Sequence, residues 1–188
     1  MNLSDILNVD IEAEAVHIAN KKWWVDIHTG EPLNRDKGEQ LMLVVTELSE
    51  AMEGARKDLM DDHLPQYKME HVEIIDAFIR LLDYRYGHGH RDKFHAAEYI
   101  HPTSAQFKGQ PPSFGACLYT IVQELMKPSG MRNEMEDIDW TINLLYFYSV
   151  FRGFDHLFLE IYEAKMAYNA TRVDHSIEHR LSEHGKKI

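Results

Sequence analysis

Apolar residues recur every three or four positions along most of the chain, which is the spacing of one face of an α-helix. Leu41, Val44, Val45, Leu48 and Met52 show this pattern clearly. No stretch shows the strict alternation of apolar and polar residues that is typical of a half-buried strand. The pattern predicts an all-α protein, a helical bundle built on antiparallel hairpins, with helices at about 6–22, 36–57, 69–86, 114–126, 133–151 and 154–170.

Two connections interrupt the helical pattern. Residues 58–68 include Pro65 and are predicted to form a loop. Residues 87–113 contain glycines, prolines and four histidines, which predicts a long connection with at most one short helix near 93–99. We interpret the histidines as scattered loop residues and not as a metal cluster. A single domain is expected over 1–174, followed by a polar and loosely held C-terminal tail at 175–188.

Two parts of the chain resemble each other weakly. Thr-Glu-Leu at 46–48 resembles Gln-Glu-Leu at 123–125, and Glu-Ile-Ile-Asp at 73–76 resembles Glu-Asp-Ile-Asp at 136–139. A degenerate internal repeat, with one helical hairpin kept for chemistry and one for packing, would account for this similarity. Coincidence in a helix-rich chain accounts for it equally well.

Composition excludes several classes of protein. The 188 residues carry a formal net charge of −11, which argues against binding a nucleic-acid polymer, because such binding needs a basic surface. The longest run without a formal charge covers 140–151, and a membrane span needs about 20 residues. Cys117 is the single cysteine, so no intrachain disulfide can form. The N-terminus lacks the pattern of a secretion signal, and we therefore expect a cytoplasmic protein with no membrane partner.

Four acidic residues carry the candidate chemistry. Glu47 and Glu50 lie on the second predicted helix, and Glu73 and Asp76 lie on the third. Each pair is spaced i, i+3, which places both carboxylates on one helix face. The intervening residues suffice to end one helix, turn and return antiparallel. The hairpin is therefore expected to bring the four acids together.

These acids lie among apolar residues, where ionised carboxylates are costly unless a positive charge compensates them. Paired acids on one helix are common on solvated surfaces, so either pair alone would indicate little. Two pairs on consecutive apolar helices favour a metal site instead. Hard divalent cations prefer oxygen ligands, and Mg²⁺ is the commonest choice.

The spacing Glu47-x-x-Glu50, followed after a gap by Glu73-x-x-Asp76, resembles the signature of the all-α nucleoside triphosphate pyrophosphohydrolases. This superfamily includes the MazG proteins and the dimeric dUTPases. The strings at 46–57 and 76–83 resemble MazG-like members in particular, and the block at 163–172 resembles the closing segment of many such chains. This sequence departs from the family pattern in two places. Thr46 lies where many MazG proteins have a further glutamate, and the insertion between the two blocks is long.

The resemblance implies that Glu47, Glu50, Glu73 and Asp76 bind Mg²⁺, for which Mn²⁺ can substitute. The implied reaction converts a nucleoside triphosphate and water into a nucleoside monophosphate and pyrophosphate, as a house-cleaning step on the nucleotide pool. Glu47 and Glu50 are the candidate catalytic residues, and we favour Glu50 as the general base. The motif acids say nothing about the base, so specificity for dUTP remains an alternative. Relatives associate through their helical hairpins, and a homodimer is expected.

Other residues are candidates for holding the nucleotide. Lys165, Asn169 and Arg172 follow one another at helical spacing and could hold the phosphate tail and the sugar, as the family block implies. Trp23 and Trp24 could supply a face on which a base stacks, and Asn20 could read a base edge; a core position for one tryptophan and a helix-end position for the other is the favoured alternative. Arg80 is expected to form an ion pair with Asp76 or Asp83 on its own helix and is not counted among these candidates. The candidate nucleotide-binding residues are Asn20, Trp23, Trp24, Lys165, Asn169 and Arg172.

Two other classes of protein fit parts of the sequence. A ferritin-like di-iron carboxylate bundle needs Glu-x-x-His motifs, which occur at 14–17 and 98–101, although Pro102 disfavours a helix at the second. A non-catalytic helical module, whose acids only solvate a surface, is the other alternative.

Overall fold

A computed structural model describes residues 2–97, 112–126, 133–182 and 185. The described residues contain no strand, and the predicted all-α class is confirmed. Seven α-helices lie within these ranges: α1 Val9–Asn20, α2 Lys37–Lys57, α3 Met69–Gly87, α4 Phe114–Leu125, α5 Glu134–Arg152, α6 Phe158–Thr171 and α7 Ile177–Leu181.

Helix ends differ from the prediction where polar residues cap the backbone. The first predicted helix, at 6–22, is shorter in the structure: α1 covers Val9–Asn20, with one 3₁₀ turn before it at Leu3–Asp5 and another after it at Lys21–Trp23. Asn8 causes the later start, because its side chain accepts a hydrogen bond from the Ile11 amide and caps α1. Helix α6 begins four residues later than predicted, after a 3₁₀ turn at Asp155–Leu157.

Helix α3 is the centre of the fold. Thirteen of its 19 residues are buried, and α1, α2, α5 and α6 all pack against it. The ring of Phe78 contacts Phe158 and Tyr162 of α6 edge to face, at centroid distances of 5.1 and 5.8 Å. A helix buried on several sides cannot place its charged residues in water, so each of them needs a partner inside the protein.

Helices α2 and α3 form an antiparallel hairpin. Gly54 near the end of α2 lies against Glu70 at the start of α3, and Gln40 near the start of α2 bonds His88 just after α3. Helices α4 and α5 also pack on each other, α4 contacts α2 and α5 contacts α3. One predicted antiparallel hairpin, α2–α3, is therefore present, while the wider bundle of hairpins and the internal repeat stay predictions.

The connection and the C-terminal segment are described in part. Residues 88–97 are not helical, so the short helix predicted near 93–99 is absent from its described part, 93–97. The predicted connection from 98 to 111 lies outside the described residues. The expectation of a loosely held tail is wrong for Arg180 in α7, which is 4% exposed. Its guanidinium donates to the Lys22 carbonyl at 2.6 Å and lies 4.1 Å from the ring centroid of Trp23.

Across the part of the chain that the structure describes, every helix is either too short or too polar to cross a membrane.

Replacement of Gly87 tests the junction between α3 and the segment after α1. A Cβ at this position would lie 2.1 Å from a ring carbon of Trp24. We expect Gly87→Ala to lower the free energy of unfolding by about 1–3 kcal/mol, because the indole has to move. Chemical denaturation measures this change. Gly115→Ala is the control, since its Cβ would meet only the flexible end of Met52, and equal loss in both variants would contradict the expectation.

Candidate metal centre

Three of the four predicted acids converge where α2 and α3 face each other. Glu47, Glu73 and Asp76 each present one carboxylate oxygen, and these three oxygens lie within 4.8 Å of one another. Glu47 and Glu73 are only 6% and 7% exposed, whereas Asp76 is partly buried. Glu50 lies one turn beyond Glu47, is exposed and is not part of this group.

Two cations neutralise part of this acid cluster, defined here as Glu47, Glu73 and Asp76. The guanidinium of Arg80 donates to Glu47 through Nε at 2.6 Å and Nη2 at 2.5 Å. The expectation that Arg80 pairs within its own helix is wrong, since it reaches across the hairpin. Lys165 of α6, which is 2% exposed, holds Asp76 with its Nζ 2.6 Å from Oδ2.

Other buried charges of α3 have complementary partners. Glu70 accepts from Tyr148 and Arg152, both at 2.6 Å. Arg85 lies 2.7 Å from the buried carboxylate of Asp139.

Asp83 accepts three hydrogen bonds that join α1 and the segment after it to α3. His17 Nδ1 lies 2.8 Å from its carboxylate, Trp24 Nε1 donates at 3.0 Å and Asn20 Nδ2 donates at 3.2 Å. Glu73 contrasts with these residues, because two of its strongest electrostatic neighbours, Asp76 and Glu47, are themselves acids.

The titration of the cluster reflects this crowding. Burial, and then the charges of Asp76 and Glu47, raise the pKa of Glu73 to about 9. Burial also raises the pKa of Asp76 to about 6, against the opposing effect of Lys165. Burial alone would lower the pKa of Lys165, but the charges of Asp76 and Glu73 raise it above its ordinary value. If all three acids were ionised, the cluster would carry one more negative charge than its two cations compensate, and Glu73 therefore keeps its proton near neutral pH.

A divalent cation fits this donor set. The three ligand atoms are carboxylate oxygens, which are the donors that Mg²⁺ and Ca²⁺ prefer, and none is a nitrogen or a sulfur. Convergence of three carboxylates in a buried place is electrostatically unfavourable without further positive charge. Within the described ranges this is the one group of acidic, histidine or cysteine residues with that geometry.

A pocket that is lined in part by Asp76 brings together many of the predicted nucleotide-binding residues. Its walls combine three arginines with apolar and aromatic side chains. The lining residues are Asn20, Trp23, Arg35, Leu43, Asp76, Ile79, Arg80, Asn169, Arg172 and His175.

Two buried polar atoms of this pocket have no hydrogen-bond partner among the described residues. They are Nη2 of Arg35 and Oδ1 of Asn169, a donor and an acceptor. Burial lowers the pKa of Arg35 from its ordinary value, so its charged form is poorly solvated. Buried polar groups are normally hydrogen-bonded, and an unpaired donor and acceptor in one pocket indicate a polar ligand.

Some predicted residues lie elsewhere than expected. Lys165 is buried against Asp76 and does not line the pocket. Trp24 is not a lining residue either; its indole packs edge to face on His17 and His88, at centroid distances of 5.0 and 5.3 Å. Arg172 lines the pocket but not as part of a helical stripe, because α6 ends at Thr171 and Arg172 has extended backbone angles.

Trp23 keeps a place in the pocket wall. Its ring meets His175 edge to face at a centroid distance of 5.2 Å, while Arg180 lies over the ring. The C-terminal segment therefore holds Trp23 in position.

Asp139, which the proposed repeat aligns with Asp76, has a different environment. It is fully buried and accepts from Arg85 and from the backbone amide of His95 at 3.0 Å. Its charge is already compensated, and it belongs to no metal-binding group of the described residues.

The first Glu-x-x-His motif of the di-iron alternative, at 14–17, contributes no residue to the acid cluster. Glu14 accepts a hydrogen bond from Tyr86 at 2.9 Å, and His17 bonds Asp83. Neither belongs to the acid cluster. The second motif, at 98–101, lies outside the described residues.

Sequence reasoning missed Arg35, His175 and the role of Arg80 in the pocket. Arg80 could have been found, because Glu73, Asp76 and Arg80 follow helical spacing and share one face of α3. Arg35 lies before α2, next to the N-cap residue Asp36, and no periodic pattern points to it.

Comparisons of this chain with protein-family models, with curated proteins and with solved structures found no match.

The stability of the metal-free protein tests the acid cluster. The raised pKa of Glu73 means that the folded state holds its proton after the unfolded chain has released it. Stability should therefore fall as pH rises from about 5 to 9. Glu73→Gln should remove much of this fall and stabilise the protein at pH 9 by about 1–3 kcal/mol. Chemical denaturation in the presence of a chelator measures both quantities.

Glu53→Gln is the matched control for this experiment. Glu53 is partly exposed, and hydrogen bonds from Lys57 and Arg56 lower its pKa, so it does not titrate between pH 5 and 9. A wild-type stability that stays constant over this range would contradict the expectation, as would an equal effect of Glu73→Gln at pH 5 and pH 9.

Proposed function

We propose that this protein is a Mg²⁺-dependent nucleoside triphosphate pyrophosphohydrolase acting on the cytoplasmic nucleotide pool. One observation carries the proposal: the acid cluster and the arginine-lined pocket share Asp76. A polyphosphate needs cations around it, and a cluster of acids repels it unless divalent metal ions lie between them. A pocket that has both features is suited to a metal-bound phosphate ester.

Glu47, Glu73 and Asp76 would hold Mg²⁺, for which Mn²⁺ can substitute. When bound, the metal would screen the charge of the phosphates and polarise their oxygens. Lys165 limits the negative charge of the cluster through Asp76 without entering the pocket. Lys165 is therefore a positioning residue in this proposal.

Arg80 and Arg172 would bind the phosphate tail, because both line the pocket and Arg80 lies next to the acid cluster. Asp174 orients Arg172 with two hydrogen bonds, at 2.9 and 2.7 Å. The unpaired Oδ1 of Asn169 would accept a hydrogen bond from a sugar hydroxyl. Trp23 supplies an aromatic wall farther along the pocket.

The proposed reaction is hydrolysis at the α-phosphorus. The oxygen of a water molecule bonds to this phosphorus, and the bond from the phosphorus to the oxygen bridging the β-phosphate breaks. Pyrophosphate leaves with the bonding electron pair, and the water proton passes to a carboxylate. We propose Glu50 for this proton, because it is exposed and lies one turn from Glu47 on the same helix.

A homodimer is part of the proposal. Ile11 and Ile18 of α1 are largely exposed apolar side chains and would be covered in a dimer. Sedimentation at micromolar concentration tests this part, and a compact monomer would contradict it.

Turnover with Mg²⁺ tests the proposed function. We expect pyrophosphate and nucleoside monophosphate as products, and no turnover with a chelator. Asp76→Asn should lower kcat/KM by about 100-fold or more, because the metal site loses a charged ligand. Asp58→Asn is the control, since Asp58 is exposed and its left-handed backbone suits asparagine. Release of orthophosphate alone would contradict attack at the α-phosphorus.

Glu50→Gln separates proton transfer from binding. We expect kcat to fall by about 10²–10⁴-fold, while Mg²⁺ affinity of the folded variant stays within a few-fold of wild type. Single-turnover kinetics and isothermal titration calorimetry measure the two quantities. An unchanged kcat would exclude Glu50 as the general base.

A further inference from the structure

The pocket lies against α3, which contributes Asp76, Ile79 and Arg80 to its lining. Asp76 and Asp83 are seven residues apart on this helix, which corresponds to about 10 Å along its axis. Asp76 belongs to the acid cluster, and Asp83 anchors Asn20 and Trp24. A ligand whose phosphates lie near Asp76 would therefore place its distal part near the Asp83 end.

Arg35 lies at this distal end. Its guanidinium is 5.5 Å from the ring centroid of Trp24, and Asp83 is its strongest charged neighbour. Its Nη2 is buried and unpaired among the described residues, whereas Arg80 and Arg172 in the same pocket form ion pairs. A guanidinium has only donors and cannot accept a hydrogen bond. A ligand in this pocket should therefore offer a hydrogen-bond acceptor to Nη2 of Arg35.

Asn20, which lines the same pocket and also has Asp83 as a neighbour, supplies the opposite polarity. Its Nδ2 donates to the carboxylate of Asp83, which can only accept, and this bond orients the side-chain amide. The carbonyl oxygen of Asn20 is then the amide atom left for a ligand in the pocket that Asn20 lines. The apolar walls, Leu43 and Ile79 with Trp23, suit a flat ring.

We propose that Arg35 and Asn20 make this pocket selective for nucleobases with a lactam edge, in which a carbonyl lies next to a ring N–H. Guanine, uracil and thymine have this edge, with the carbonyl for Arg35 and the N–H for Asn20. Adenine and cytosine carry an amino group where the lactam bases carry the carbonyl, and an unprotonated ring nitrogen where they carry the N–H. With the base held in the same orientation by the bound phosphates, the amino group would face Arg35 and the ring nitrogen would face Asn20. This inference rests on the proposed function, because it takes the pocket to bind a nucleotide.

The size of the expected base selectivity depends on the free-energy cost of leaving buried hydrogen-bonding groups unpaired. An amino base would leave the Arg35 donor and the Asn20 acceptor without partners in a desolvated place, which costs more than a weak contact. We expect lactam nucleotides to bind about 10- to 100-fold more tightly than amino nucleotides.

Isothermal titration calorimetry with five nucleotide analogues tests this inference. Each analogue carries a methylene group between the α- and β-phosphorus, so that the proposed bond cannot be cleaved, and inorganic tripolyphosphate serves as the probe without a base. Wild-type protein with Mg²⁺ should bind the guanine, uracil and thymine analogues at least 10-fold more tightly than the other two. Equal affinity for all five bases would overturn the inference without any variant.

Arg35→Gln identifies the residue responsible, because glutamine can both donate and accept. The preference should fall to below about threefold in this variant, with the affinity for tripolyphosphate unchanged. Arg56→Gln is the matched control, since Arg56 is exposed and pairs with Glu53 away from the pocket. A preference that survives Arg35→Gln would overturn the assignment, as would an equal loss of tripolyphosphate affinity, which would make Arg35 a phosphate ligand.

Hydrolysis of the five natural triphosphates separates this inference from the proposed function. Pyrophosphate release at equal kcat/KM from all five would overturn the selectivity and leave the proposed function standing. Base-selective binding of the analogues without any pyrophosphate release would overturn the proposed function and leave the selectivity standing.

Discussion

The repulsion among three carboxylates is the interaction on which the rest of this site depends. Glu47, Glu73 and Asp76 come from two helices whose apolar faces pack tightly, so burial forces their oxygens together. Arg80 and Lys165 compensate two of the charges and leave Glu73 facing the other two acids. A protein without a use for this arrangement would gain stability by replacing one acid with an apolar residue.

Helix α3 connects the chemistry to the packing. Its charged residues bind three other elements of the protein: α5 through Glu70 and Arg85, α6 through Asp76, and the end of α1 through Asp83. The same contacts that close the core also place Asn20 and Trp23 beside the pocket. Polar groups inside a core act over short distances and only in defined geometry, which suits them to positioning.

Helical periodicity was sufficient to predict the fold class and most helix positions, because a buried helix face requires apolar residues at every third or fourth position of the sequence. The spacing of the acids likewise predicted that Glu47, Glu73 and Asp76 would meet. It did not separate Glu50 from them, since i, i+3 spacing fixes a helix face but not the depth at which a side chain lies. Arg35 and His175 lie outside the long helices, where position depends on tertiary contacts that a single sequence does not display.

The pocket gathers its walls from across the whole chain, from Asn20 before α2 to His175 after α6. During synthesis, the α2–α3 hairpin with its acids leaves the ribosome long before the segment that carries Asn169, Arg172 and His175. In a nascent chain, the three acids are therefore synthesised before Lys165, which partly neutralises them, and before the C-terminal residues that complete the pocket. Small molecules that bind this pocket can then stabilise only the finished protein, and they offer no assistance to the chain while it is being made.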